Sequence, residues 1–268
     1  MFPFVGSHEP QRSGFSAIAL CFLLLAAAAE PAVAAGCSLA PQGEGRVTAV
    51  IDARTLRLDD GRDVSLVGVE PATPGGAGES RTAALSAIAT GRDVTLQGDD
   101  DTPDRYGRQP AFVFLAGSDV SVQTMLLTRG DALVAATVTE PGCAATLAAA
   151  EASARAAKRG IWANSAVIKN AESADDILAG IGRFMVVDGT VLSVRQAGGT
   201  TYLNFGRNWT RDFAVTIPKR TIAAFATAGV LLKSLENQRI RVRGWVEAHG
   251  GPRIEVLRVG QIERLGEN

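Results

Sequence analysis

The chain has only two histidines among its 268 residues, and just three cysteines, two tyrosines and three tryptophans. His8 belongs to an N-terminal segment expected to be removed, and His249 falls in an expected turn. A histidine-based triad or histidine general base therefore has nothing to be built from. Neither Cys37 nor Cys143 has a histidine or second cysteine at metal-ligand spacing, which excludes a zinc site. A strong one-sign charge is missing too: the net charge is −1, too small for a strong electrostatic footprint. That neutrality hides an asymmetry. Residues 1–165 carry 13 Lys and Arg against 18 Asp and Glu, and residues 166–268 carry 14 against 10. The composition shifts at 163–182, where a small polar connector is expected.

No apolar run reaches the ~20 residues of a membrane-spanning helix. Phe15 to Ala29 is apolar, follows a polar start containing Arg12, and leads into the small residues Ala32-Val33-Ala34-Ala35-Gly36. This order predicts a signal peptide over 1–36, with an N-terminal anchor as the alternative. The mature chain would then have no transmembrane span and would be exported, periplasmic or secreted. Cys21 would be lost with the signal, leaving Cys37 and Cys143, which are expected to pair in an oxidising compartment. Ala34-Ala35-Gly36-Cys37 also reads as a loose lipoprotein box, so a lipid anchor at Cys37 competes with the disulfide.

The remaining ~230 residues suffice for two ordinary domains. In the first, alternation and turn residues place strands at 46–51, 55–58 and 64–69, a helix at 80–89, strands at 94–96 and 111–114, then helices at 121–128 and 144–159. In the second, three strands (189–194, 201–205, 213–217), a helix at 219–228 and two strands (239–245, 253–257) repeat that order. Three strands, a helix and two strands is the order of a five-stranded oligonucleotide/oligosaccharide-binding (OB) barrel. The fold class expected is mainly β with added helices: two tandem five-stranded OB-like barrels, the first with additional C-terminal helices. The expected domains are 37–165 and 183–268, with 166–182 as linker.

Asp104-Arg105-Tyr106-Gly107-Arg108 lies between two expected strands and carries two arginines beside an aromatic ring. A planar, permanently charged guanidinium suits phosphate oxygens; the plain alternative is a solvated Asp-Gly turn. The acidic run Asp99 to Asp104 lacks the Gly and Glu that an EF-hand calcium loop requires, and reads as a surface turn.

Residues 43–162 resemble the staphylococcal nuclease (thermonuclease) family. The resemblance rests on Val50-Ile51-Asp52-Ala53-Arg54-Thr55-Leu56, on Val64-Ser65-Leu66-Val67-Gly68-Val69-Glu70, on Asp104–Arg108, and on Glu151-Ala-Ser-Ala-Arg155 leading to Gly160-Ile161-Trp162. It implies a nuclease-type barrel and phosphodiesterase chemistry. In that chemistry a calcium ion is held by two aspartates and a carbonyl, two arginines stabilise the phosphate, and a glutamate activates water. Of that set, Arg108 matches the second arginine, while Arg105 and Tyr106 match positions that contact a terminal phosphate. The first calcium aspartate falls on Arg54, the second on Glu70 and the carbonyl on Pro71. The first arginine falls on Ser65, and the glutamate on Thr73 or Ala72. Asp52 could approach a metal, Glu79 could replace the glutamate, and Arg54, Arg62 or Arg81 could neutralise phosphate. The expectation is an impaired enzyme with no cofactor, acting as a binding or scaffolding module. The alternative is a weak calcium-dependent nuclease in which Glu70 and Asp52 are the metal ligands.

Residues 184–265 look like an OB-type domain attached to such nuclease modules in some exported bacterial proteins. Aromatic and basic residues concentrate there: Tyr202, Phe205, Arg207, Trp209, Arg211 and Phe213, then Arg239, Arg241, Arg243 and Trp245. Aromatics stack bases while arginines follow the backbone. Trp209, Arg211, Arg241 and Arg243 are therefore the expected second-domain contacts, unless the arginines on 239–243 are merely an exposed strand face. The partner would be single-stranded nucleic acid, a cell-envelope polymer or another protein.

Overall fold

One long strand with two neighbours closes the first barrel. The computed structural model describes residues 1–4, 6, 37–71 and 78–266, without the side chains of 78–81. The expected signal segment thus lies largely outside the described residues, and among those described no helix is long and apolar enough to cross a membrane. β1 (Ala40–Asp52) pairs through residues 40–46 with β5 (Asp93–Gly98) and through 47–52 with β2 (Thr55–Leu58). Register shifts along β1 mark bulges, which bend a strand and increase its twist. β3 (Asp63–Leu66) follows β2 and runs parallel to β6 (Gln109–Leu115), which returns to β5. The circuit β1-β2-β3-β6-β5 is a closed barrel.

Alternation fills it. Val47, Leu56, Leu58, Val64, Leu66, Val94 and Leu96 point inward and are almost completely buried. Leu85 of α1 (Gly78–Ala89) joins that core. Outside the barrel, β4 (Val69–Pro71) pairs with β7 (Ala132–Val134). α2 (Val122–Arg129) is capped by the Ser121 hydroxyl and ended by Gly130 in the left-handed region. α3 (Pro141–Ala156) begins one turn earlier than alternation suggests, because the Glu140 carboxylate accepts from the backbone N–H groups of Gly142 and Cys143. Pro141 suits the first turn of a helix, where no N–H is needed. The Gly160-Ile161-Trp162 turn fits only as glycine: the Ile161 N–H reaches the Gly130 carbonyl, and a Cβ on Gly160 would stand 2.4 Å from that oxygen.

The expected linker 166–182 is not a loose connector. It carries β8 (Ile168–Asn170), which pairs parallel with β9 (Phe184–Thr190), and α4 (Ala174–Leu178), whose Ile177 joins the second core. β10 (Ser193–Ala197), β11 (Thr200–Asn204), β12 (Ala214–Pro218), α5 (Lys219–Thr227), β13 (Arg239–His249), β14 (Gly251–Glu255) and β15 (Ile262–Arg264) follow. Hydrogen bonding gives an open sheet in the order β10-β11-β12-β14-β13-β9-β8, with β15 on β13. The second closed five-stranded barrel is therefore not formed as a continuous ladder. The expected strand 189–194 is split between β9 and β10 at Val191-Leu192.

The described residues from Cys37 onward form one compact unit. Leu133, Ala154 and Trp162 from the first half meet Phe184 and Val186 from the second in a shared apolar cluster. Beside it, Arg243 bonds both oxygens of Glu151, and Arg155 reaches Glu263. Cys37 and Cys143 are joined by a disulfide that ties the segment before β1 to the first turn of α3.

Candidate functional site

The hairpin between β1 and β2 and the 104–108 turn come together at one end of the barrel. Asp52 folds the hairpin turn: its carboxylate accepts from the Arg54 backbone N–H at 2.9 Å and from the Thr55 hydroxyl at 3.0 Å. Both oxygens are thus used locally. The turn aims Arg54 at β4, where its Nη1 contacts Glu70 Oε1 at 2.5 Å. Glu70 is nearly buried. Burial pushes its carboxyl up, and the charge and hydrogen bond of Arg54, with the charge of Arg108, pull it back; the balance lies above the ordinary glutamate range. A carboxyl raised in this way favours the fold at low pH and loses that contribution as pH rises through its folded value.

The 104–108 turn is wound around Asp104. One oxygen accepts from the Tyr106 and Arg108 N–H groups, the other from Arg108 Nε at 2.9 Å, and Gly107 supplies the positive φ. The Arg108 hydrogen bond holds the Asp104 carboxyl below its ordinary range. The same hydrogen bond raises the Arg108 guanidinium against the opposing effect of its partial burial. Stability from the Asp104 shift is present above the ordinary aspartate value and is lost as pH falls through the depressed one. Arg108 Nη1 also reaches Thr55 Oγ1 at 3.4 Å, linking the two turns. The guanidiniums of Arg105 and Arg108 lie 4.7 and 5.1 Å from the centre of the Tyr106 ring, which is 66% exposed. Arg105 forms no ion pair among the described residues and lies over the Tyr106 ring.

The calcium site implied by the resemblance does not fit these residues. Calcium takes six to eight oxygen ligands at 2.3–2.6 Å. Here a guanidinium stands against Glu70, and Asp52 is committed to its own turn. Among the described residues the one close group of three potential ligands is Cys37, Glu140 and Cys143, whose sulfurs are bonded to each other and whose carboxylate caps α3. Ser65 lies on β3 opposite Thr55 and brings no charge. Thr73 and Ala72, and the side chains of Glu79 and Arg81, lie outside the described residues. Arg62 is held by Asp60, Gln109 and the Glu44 carbonyl. Glu70 also lines a cavity of about 230 Å³ shared with Trp245, Glu247, Glu255 and Arg258. Three carboxylates and one arginine there repel rather than attract phosphate.

The expected second-domain contacts divide. Trp209 and Arg211 are exposed on the loop between β11 and β12. Arg241 and Arg243 are not contacts: they are 8% and 5% exposed. Ile240 and Val242 of β13 face the second core, Arg241 is held by Asp188 and Glu263, and Arg243 by Glu151 and Val134 of the first half. Arg241 pairs with Asp188 through two bonds of 2.7 and 2.8 Å; burial lowers its pKa, but Asp188, Glu263 and Glu151 outweigh that and raise it. Arg243 is committed to Glu151 and the Val134 carbonyl. Charge alternation on β13 looked like an exposed face because one strand's pattern cannot distinguish solvent from an ionic interface. The acidic partner was visible as Glu151 in an otherwise Ala-rich helix.

Residues 77–164, from α1 through the 104–108 turn to Trp162, match the family of staphylococcal nuclease homologues. Among curated proteins, none matches the chain.

Proposed function

We propose that the chain, whose residues 77–164 match the family of staphylococcal nuclease homologues, is an exported, non-cleaving relative that binds phosphodiesters. The observation that carries this reading is the Arg54–Glu70 ion pair. A guanidinium neutralises Glu70 as a bound cation would, yet it offers no coordination site for water and no Lewis acidity. Serine at 65 removes one fixed positive charge where the transition state needs it, a loss of about 10²–10³ in rate for a single stabilising donor. What remains at the site is recognition: Arg105, Tyr106 and the outer edge of Arg108.

We read the second sheet as a barrel of the same plan. Its order β10-β11-β12-β14-β13-β9 repeats β1-β2-β3-β6-β5-β1, with the parallel pair at the same place. β9 and β10 take the part of β1, and the two residues between them continue both ladders: Val191 bonds Gln238 and Asn237, and Leu192 bonds Asn204.

The second reading, a weak calcium-dependent nuclease, is favoured by the retention of Arg108 and of a carboxylate at Glu70 with Asp52 alongside, and calcium is a cofactor only in that case. A digestion assay with the combined replacement Arg54→Asp, Ser65→Arg and Thr73→Glu tests the proposal. Calcium-dependent cleavage should appear in the triple variant from an inert parent. A folded triple variant that binds calcium and still cleaves nothing would remove the basis for the positional assignments.

A further inference from the structure

A groove of about 680 Å³ runs across the outer face of β10, β11, β12 and β14, away from the 104–108 turn in sequence and built by other strands. Register decides which side chains reach it. Thr201, Leu203, Val215, Ile217 and Ile254 point inward and are buried, so Tyr202, Asn204, Ala214, Thr216 and Arg253 face out. Two cross-strand rows form the floor. Arg195, Tyr202 and Thr216 are neighbours in one; Ser193, Asn204, Ala214 and Arg253 are neighbours in the other. Small residues in the floor, among them Ala197, Ala214 and Gly251, leave an aromatic side chain or a base room to lie flat against Tyr202.

The rim is held in shape rather than loose. Asn208 accepts from the Thr210 N–H and hydroxyl, and Asp212 accepts from the Asn208 N–H at 2.7 Å. The β13–β14 hairpin abuts this loop so closely that a Cβ on Gly251 would stand 2.6 Å from the Asp212 carbonyl oxygen. The braced loop presents Trp209 with 75% of its surface exposed. An indole held in water by a fixed loop favours a ligand that covers it with a flat surface of its own.

Charge then selects the ligand. Arg195, Arg207 and Arg253 line the groove, and the one carboxylate among its lining residues, Asp212, is engaged by its own loop; Glu255, opposite Thr216, and Glu247, paired with Arg253, stand at its far edge. Arg253 is paired with Glu247, whereas Arg207, and Arg211 on the same loop, form no ion pair among the described residues. Two aromatic platforms lining one groove with an unpaired guanidinium, Arg207, fit stacked bases joined by phosphates. We propose that this groove binds single-stranded nucleic acid, with Trp209 and Tyr202 stacking bases and Arg207 meeting the backbone. The site stands independently of the phosphate reading for the 104–108 turn.

Fluorescence anisotropy with a labelled oligothymidylate of about 12 nucleotides, within the site size of one such barrel, tests it on the purified protein at low salt. Trp209→Ala and Tyr202→Ala should each weaken binding about 5-fold or more, since one stacked base contributes about 1–3 kcal/mol. Arg207→Ala should make the slope of log K against log salt shallower by about 0.7. Trp209 and Arg207 are exposed, so unchanged thermal unfolding is expected for both variants. Arg105→Ala should leave the Trp209-dependent binding in place, which separates this site from the first. Binding that is insensitive to Trp209 and Tyr202, or that depends on Arg105 alone, would overturn the groove assignment and leave the first site standing. Absence of oligonucleotide binding at low salt, with or without binding of an uncharged oligosaccharide, would overturn it as well.

Discussion

Arg243→Met is expected to destabilise the protein by about 3–5 kcal/mol, the cost of breaking a buried ion pair from one side. Glu151 is 1% exposed and lies on α3, where Ala-rich packing brings the helix close to β7. One of its oxygens accepts from the Val134 N–H at 2.8 Å, and both accept from Arg243 Nη1 at 3.0 and 2.8 Å. Without Arg243, a buried carboxylate keeps only the Val134 bond and a 3.5 Å approach from Arg155. The same change strips the Val134 carbonyl of its Arg243 donor. Glu151→Leu fails from the other side, leaving a guanidinium and a backbone N–H buried together. Because both singles pay for an orphaned charge, the double variant should be less damaged than the two singles summed. Urea unfolding of the four proteins measures this. A cost under about 1 kcal/mol for Arg243→Met, typical of a solvated pair, would show that the two halves are not held by this contact.

Reduction of the disulfide, or Cys37→Ser, should have a comparable effect. Cys37 and Cys143 are 106 residues apart, and closing a loop of that length restricts the unfolded chain by about 4–5 kcal/mol in the chain-entropy account. The bond links the entry to β1 with the capped first turn of α3, so it constrains both walls around the first core. Thermal unfolding with and without reductant, alongside a free-thiol count, provides the measurement. Intact mass is expected to lack a lipid adduct at Cys37, because a sulfur in the disulfide cannot also carry a thioether. A lipid-modified Cys37, or a melting temperature indifferent to reductant, would contradict the role given to the bond.

The first barrel was largely legible in the sequence because its strands alternate cleanly and its turns carry Asp-Gly or Gly signals. Val64 and Leu66 inward with Ser65 outward is an example. Helix α3 was displaced by one turn, since Glu140 and Pro141 act as cap and first residue and neither belongs to the apolar pattern. The second half was legible as elements but not as a closed sheet: the Val191-Leu192 break is set by pairing to two different strands, which no local pattern encodes. In the site, Arg54 could be read as a cation standing where the resemblance implies a ligand. That it reaches Glu70 depends on the Asp52 turn and on β4 being held by β7, both tertiary facts. Arg241 and Arg243 were misread for the same reason, their partners lying 53 and 92 residues away in sequence. Arg195 and Arg253 were missed as groove residues because strand register, not composition, brings them beside Tyr202 and Asn204.

The central claim is that a guanidinium has taken the place of the nuclease cation. Incubation of the purified protein with single-stranded DNA and RNA, in calcium and then in chelator, tests it most directly. The account predicts no cleavage in either condition. Chelator-sensitive cleavage that disappears in Arg108→Ala would contradict it, and would establish a working calcium-dependent nuclease assembled from Arg108 and residues other than the expected set.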